Sequence, residues 1–239
     1  MSTSLALKIQ SHLFPDPAAL AEALALSVAD DLRAALAERG TGSLALSGGN
    51  TPKAFMRALA RQPLDWSRVA VTLVDERWVP ESSERSNAAL VKTNLLQGPA
   101  ASARFVPLYR DTPEPEQALA EIHSELATLP WPFDVLVLGM GNDGHTASFF
   151  PGGDHLAAAL DPDTTAVVLP MRAPDAGEAR ITLTLPPILG ARRTYLHIEG
   201  AGKQEVLALA VSGEGPGAGF PIRTVLQHAV SPLQLYFAA

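Results

Sequence analysis

The chain of 239 residues contains no cysteine. That excludes disulfides, thiolate metal sites and cysteine nucleophiles, and it leaves packing as the source of stability. It also fits a reducing compartment. Positive charge is in short supply: Lys+Arg number 18 against 25 Asp+Glu, a formal net charge of −7. The whole-chain basic footprint of a nucleic-acid-binding protein is therefore missing. Trp66, Trp78 and Trp131 do not interleave with basic residues as a base-stacking surface requires. Long apolar runs are missing too; stretches such as Val135 to Leu138 are far too short to cross a bilayer. In the opening segment MSTSLALKIQSHLFPDP, Lys8 interrupts the apolar stretch. No secretory signal is expected there, and the expected location is the cytoplasm. Neither nucleic acid nor a membrane is an expected partner.

What the chain does have is apolar mass. Forty-seven per cent of it is hydrophobic and 18% charged, the composition of a globular protein with a sizeable core. No compositional break divides it, so one domain over residues 1–239 is expected. Asp16 and Pro17 open a helical pattern as cap and first residue. Leu20, Leu24, Val28, Leu32 and Leu36 then repeat every four residues along one face, and Gly40 ends the run. Short apolar strands follow, beginning with Ser43 to Leu46, Val69 to Val74 and Val135 to Leu138. Further apolar runs lie at Ala166 to Leu169, Ile181 to Leu185, Tyr195 to Ile198 and Leu233 to Phe237. Helical patterns separate several of them: from Pro52 with Phe55, Met56 and Leu59; after Ser86 or Asn87 with Leu90, Val91, Leu95 and Leu96; at Leu119, Ile122 and Leu126; and around 204–210 and 223–228. This alternation predicts a Rossmann-like α/β fold, a mostly parallel sheet flanked by helices. The Gly-rich stretch 212–219 is the candidate mobile loop.

In an open α/β sheet, ligands sit beyond the carboxyl ends of the strands. Three polar clusters fall there. In Ser47-Gly48-Gly49-Asn50-Thr51-Pro52, two glycines let backbone amides approach an anion, and the helix start beyond adds free N–H groups. The GxxxxGK[ST] spacing is absent, so this is either another kind of phosphate loop or a plain strand-to-helix turn. In Asp75-Glu76-Arg77, Arg77 is able to pair bidentately with a phosphate or carboxylate. The same three residues also make a solvated loop with internal ion pairs. In Gly139 to Ser148, His145 follows Asp143 by two residues in a Gly-rich loop. A histidine with a nearby carboxylate is equipped for proton transfer near neutral pH. No second ligand stands at HxxxH or HExxH spacing, so no metal is expected, and no GxSxG elbow marks a serine hydrolase. His123, beside Glu121 and Glu125, is assigned to a solvated helix face, and His197 to a packed or hydrogen-bonded strand position. Arg180 and Lys203 stand where positive side chains are able to reach a shared anion; on spacing alone each is equally readable as a surface charge.

Taken together, LSGGNTP (Leu46 to Pro52), VDERWVP (Val74 to Pro80), SERSN (Ser83 to Asn87), GMGNDGHTASFFPG (Gly139 to Gly152) and RITLT (Arg180 to Thr184) resemble the 6-phosphogluconolactonase family, in the family's order and over nearly the whole chain. The resemblance implies the sugar-phosphate isomerase/deaminase type of fold and hydrolysis of 6-phospho-D-glucono-1,5-lactone in the oxidative pentose phosphate pathway, with no cofactor. It implies His145 as general base, with Asp143 orienting or polarising its ring. It implies Gly48, Gly49, Asn50 and Thr51 around the phosphate, helped by Arg180 and Lys203, with Arg77 lining the same pocket and Asp75 on sugar hydroxyls. The related glucosamine-6-phosphate deaminases resemble the chain less: after the histidine they carry an Asn-Glu-Pro. Here Ser148-Phe149-Phe150-Pro151 stands, with no acid at that place. A deaminase-like activity and a non-enzymatic sugar-phosphate sensor are the competing readings. The expected partner is the phosphorylated lactone alone, and the expected state a monomer, with a dimer left open.

Overall fold

The computed structural model describes residues 8–174 and 176–239. The apolar stretch before Lys8 lies outside them. Ten strands and eight helices are present among the described residues. The strands are β1 Ile9–Phe14, β2 Gly42–Leu46, β3 Val69–Leu73, β4 Asp75–Arg77, β5 Arg104–Val106, β6 Val135–Leu138, β7 Val168–Met171, β8 Arg180–Leu183, β9 Arg193–Glu199 and β10 Leu233–Ala238. The helices are α1 Pro17–Arg39, α2 Lys53–Ala60, α3 Asn87–Asn94, α4 Leu119–Leu126, α5 Leu156–Ala159, α6 Leu185–Gly190, α7 Ala201–Ser212 and α8 Pro221–His228.

Helix α1 forms for the reasons written in its sequence. Asp16 Oδ1 accepts from the Ala19 amide at 2.8 Å, Pro17 needs no partner at the first position, and Gly40 closes the helix at φ 80°. Leu20, Leu24, Val28 and Leu32 are fully buried against the sheet, each worth about 1.5–3 kcal/mol of transfer from water. Leu36 is only partly buried.

Seven strands form one parallel sheet in the order β1-β10-β9-β6-β2-β3-β5. The chain adds β3 and β5 on one side of β2, then returns to place β6, β9 and β10 on the other. The order therefore reverses between β2 and β6, where a parallel sheet opens a crevice at its carboxyl edge. A second, antiparallel sheet of β4, β8 and β7 stands beside it. It joins the first through the Leu183 amide, which donates to the Val74 carbonyl at 2.8 Å.

The sequence pattern misses β1, β4 and β5. All three are edge strands, paired on one side within their sheets; β4 is charged throughout, and most residues of β1 are polar or only partly buried. Two assignments are corrected. The 212–219 stretch is not an open loop, because residues 215–219 wind into a 3₁₀ turn packed on α7. His123 is not on a solvated face, because it is half-buried with Nε2 3.4 Å from the Val168 carbonyl.

Candidate active site

Four neighbouring strands of the large sheet, β9, β6, β2 and β3, end on the same side, and each is followed by one of the polar segments. A cavity of about 350 Å³ lies over the switch point. Leu46 and Ser47 form its floor from β2, with Val137, Leu138 and Gly139 from β6. Gly48, Gly49, Asn50 and Thr51 line one wall, Lys203 of α7 another, and His145 a third. The small sheet supplies Asp75, Arg77 and Arg180. Of the ten predicted site residues, only Asp143 is outside this lining; it stands behind His145 and is held against it.

The turn after β2 is built to leave amides free. No hydrogen bond from the backbone N–H groups of residues 48–51 is formed within the described residues. Gly48 is required by crowding: a Cβ there would lie 1.8 Å from Asn87 Oδ1. Asn87 is fixed in turn, since its Nδ2 donates to the Asp75 carbonyl at 2.8 Å. Lys203 Nζ reaches Thr51 Oγ1 at 3.4 Å. Burial pushes the Lys203 ammonium below the ordinary lysine range, with Glu199 opposing.

Asp143 and His145 form a hydrogen-bonded pair. Asp143 Oδ1 lies 2.6 Å from His145 Nδ1 and also accepts from the His145 amide at 3.2 Å. The hydrogen bond to His145 holds the Asp143 carboxyl below its usual range, so it is an acceptor at neutral pH. That keeps the proton on Nδ1 and leaves Nε2 with its lone pair free. Gly141 permits the arrangement, because a Cβ there would lie 2.3 Å from the imidazole. Phe150 packs on the ring at 4.5 Å between centroids, and the Arg180 guanidinium sits over the Phe150 ring at 5.4 Å from its centroid.

The Asp75 to Arg77 segment is not a solvated loop. Glu76 is fully buried and caps α3: its carboxylate accepts from the amides of Arg77, Asn87 and Ala88, each at 2.7 Å, and from Ser86 Oγ at 3.2 Å. Burial raises its carboxyl above the usual range, against those backbone bonds. Asp75 accepts from Ser148 Oγ at 2.6 Å, and the Ser148 amide donates to Thr182 Oγ1 at 3.2 Å, tying the histidine loop to the small sheet.

The small sheet also sets Arg77 directly opposite Arg180 across an antiparallel pair. Two like charges in that relation repel. Both Nε atoms are buried without a hydrogen-bond partner among the described residues. Arg180 is 6% exposed, and its guanidinium is held below its ordinary range, first by burial and further by Arg77, with Asp75 opposing. An anion between them would relieve the repulsion.

Asn87, Phe150 and His197 also line the cavity, beyond the predicted set. Asn87 was visible as a possible cap, a role that Ser86 takes by accepting from the Ala89 amide, and as the last residue of SERSN; Phe150 stood in the segment that replaces the deaminases' Asn-Glu-Pro, though neither was given a role. Nothing local in the sequence distinguishes His197.

Fold and cavity together define an α/β protein of sugar-phosphate type, with a cation-lined cavity and a carboxylate-paired histidine at the switch point of a parallel sheet. Residues 15–233 match the family model described as glucosamine-6-phosphate isomerases/6-phosphogluconolactonase, and the chain belongs to that family. A 6-phosphogluconolactonase of Rhizobium meliloti is 56% identical over 227 residues, covering 95% of this chain and 97% of its own. Another from Pseudomonas aeruginosa is 47% identical, covering 91% and 90%. The crystal structure of a 6-phosphogluconolactonase from Shewanella baltica superposes with a TM-score of 0.93 at 38% identity, over 99% of this chain and all of that one.

Proposed function

We propose that the chain hydrolyses 6-phospho-D-glucono-1,5-lactone to 6-phospho-D-gluconate. The observation that carries this reading is the meeting, in one cavity, of a carboxylate-oriented histidine with two facing arginines, a lysine and a run of free amides. The cationic end suits the 6-phosphate, which would place the lactone carbonyl near His145. Nε2 of His145 takes a proton from water as its oxygen bonds to C1, and the carbonyl becomes an oxyanion. Asp143 stabilises the imidazolium that forms. The carbonyl then re-forms, the bond from C1 to the ring oxygen breaks, and Nε2 returns the proton to that oxygen. Water, lactone and acid balance, with no covalent enzyme intermediate.

Asp75, held by Ser148, is the acceptor available to sugar hydroxyls. Phe150 fills the place where the deaminases carry their glutamate, and an aromatic ring is unable to assist ring opening by proton transfer. That contrast favours lactone hydrolysis over amino-sugar deamination. Every residue in this reading comes from one chain, so a monomer suffices. We further place the reaction in the oxidative pentose phosphate route and in the cytoplasm, in keeping with the cysteine-free composition.

The test is a direct assay of purified protein on the two substrates. Lactone loss above the spontaneous rate, without ammonia release from glucosamine 6-phosphate, is expected. The reverse pattern identifies a deaminase, and binding without turnover a sensor.

A further inference from the structure

The histidine loop closes on itself. The Gly144 amide donates to the Gly141 carbonyl at 3.1 Å, the Gly141 amide to the His145 carbonyl at 2.9 Å, and Thr146 Oγ1 to the Gly139 carbonyl at 2.8 Å. These bonds fix the shape of the turn. Where the imidazole stands over the cavity is decided by what the turn rests on. Among the described residues, hydrogen bonds tie residues 141–148 to other secondary-structure elements at two places. One is the small sheet, through Ser148; the other is α8, whose Ile222 amide donates to the Gly144 carbonyl at 3.0 Å.

Phe220, the residue before α8, packs at this second place. Gly144 lies at φ 75°, and a Cβ there would fall 2.4 Å from Phe220 Cγ, 2.6 Å from its Cβ and 2.8 Å from its Cδ2. Glycine is required at 144 both by the left-handed backbone and by the aromatic side chain pressed against it. Phe220 is half-buried and is not one of the residues that line the cavity. Helix α8 is itself braced on the end of α7. Arg223 Nη1 donates to the carbonyls of Ala210 at 2.6 Å and Val211 at 3.0 Å. A Cβ on Gly217, in the turn that joins the two helices, would lie 2.0 Å from the Leu209 carbonyl oxygen. The first turn of α7 carries Lys203. The support under Gly144 is thus fixed to the helix that presents the lysine, and Gly144 is the immediate neighbour of His145.

We infer that Phe220 is a positioning residue for His145: by packing on Gly144 it sets where the imidazole stands relative to the cationic end of the cavity. This rests on His145 acting as the base of the proposed hydrolysis. An imidazole displaced by about 1 Å loses its aim at the attacking water, and a misplacement of that size costs up to about 100-fold in rate. The lysine, the arginines and the free amides of the phosphate end do not depend on this contact.

The experiment measures kcat for lactone hydrolysis and the Kd of 6-phosphogluconate. The proteins compared are the native chain, Phe220→Ala, Phe220→Leu, His145→Ala and the double variant of His145→Ala with Phe220→Ala, each checked for a cooperative melting transition. Phe220→Ala should lose roughly 10–100-fold in kcat while Kd stays within about twofold of the native value. Leucine keeps Cβ, a branched Cγ and the carbons beyond it, which are the atoms that face Gly144, so Phe220→Leu should recover most of the rate. In the double variant the change at 220 should have no further effect, because the group it positions is gone. Native kcat in Phe220→Ala overturns the inference. So does an equal fall on the His145→Ala background, or a Kd weakened as much as kcat, since either means that Phe220 supports the fold or the phosphate grip and not the imidazole. Should Phe220→Ala fail to fold, Phe220→Val, which loses the outer carbons only, takes its place under the same criteria. Native turnover in His145→Ala marks a different failure, that of His145 as base, and takes the inference with it.

Discussion

In the proposed reaction His145 depends on two neighbours a few residues away. Asp143 Oδ1 pairs with Nδ1, which leaves Nε2 for the water, and Gly141 makes room for the ring. Replacing the imidazole by a methyl group removes proton transfer and leaves the cationic end of the cavity untouched. His145→Ala should therefore lower kcat for lactone hydrolysis by roughly 10²–10⁴-fold, the usual worth of general acid–base catalysis, with a smaller change in KM. Stopped assays corrected for spontaneous hydrolysis check this, and near-native turnover in a folded variant would remove His145 from the reaction.

Lys203 gives a second test at this scale. Burial disfavours its ammonium, so it loses its proton at a lower pH than a free lysine, whose ordinary value is 10.5. Below that lowered value the charge is present and binds phosphate. As pH rises through it, affinity falls. Titrating 6-phosphogluconate binding against pH, which avoids the alkaline breakdown of the lactone, should show this alkaline loss. Lys203→Arg should move it to higher pH or abolish it, because a guanidinium keeps its charge.

At the scale of elements, the site is a joint between two sheets. The large sheet presents the amide loop, the histidine loop and α7; the small one presents Asp75, Arg77 and Arg180. Glu76 secures the joint by capping α3 from β4. Glu76→Ala leaves three buried amides and a hydroxyl without their acceptor. It should cost about 2–4 kcal/mol in urea unfolding, with Glu76→Gln, which retains one acceptor oxygen, less damaging. A variant as stable as the native chain would show that water or a neighbour replaces the carboxylate.

The same joint predicts how selectivity breaks. Arg180 comes from the small sheet and Lys203 from α7 beyond the large one, and both line the cavity, so either change weakens one part of the proposed grip. Arg180→Ala and Lys203→Ala should each reduce the preference for phosphorylated over unphosphorylated gluconolactone in kcat/KM. Remote binding energy also positions the carbonyl, so kcat on the phosphorylated substrate should fall too. The rate on the unphosphorylated lactone should barely move. An equal fall on both substrates in folded protein would take these residues out of the phosphate site.

For the molecule as a whole, no group of three His, Asp or Glu side chains among the described residues is arranged to hold a metal ion. Activation of water by His145 asks for no Lewis acid. Prolonged EDTA treatment should leave lactone turnover intact, and loss that one divalent ion restores would refute that. No helix among the described residues is long and apolar enough to cross a membrane.

Much of this protein was readable in its sequence because the determining forces are local. Asp16, Pro17 and Gly40 bound α1 by satisfying its own terminal amides and carbonyls, and a four-residue apolar repeat buries one face wherever the helix lands. The apolar central strands announce themselves because both faces are covered. Asp143 and His145 are two residues apart, so one turn brings them together. The motif resemblance then named the family. What the sequence did not disclose depends on partners far along the chain. Strand β1 is ordered by pairing with β10, more than 200 residues later. The burial of Glu76, the facing of Arg77 and Arg180, and the bond from Ser148 to Asp75 exist only once the small antiparallel sheet has formed. His197 gained its place in the cavity in the same way. A strand residue shows its period in sequence, but which cavity its strand end borders is decided by strand order, and only tertiary packing sets that order.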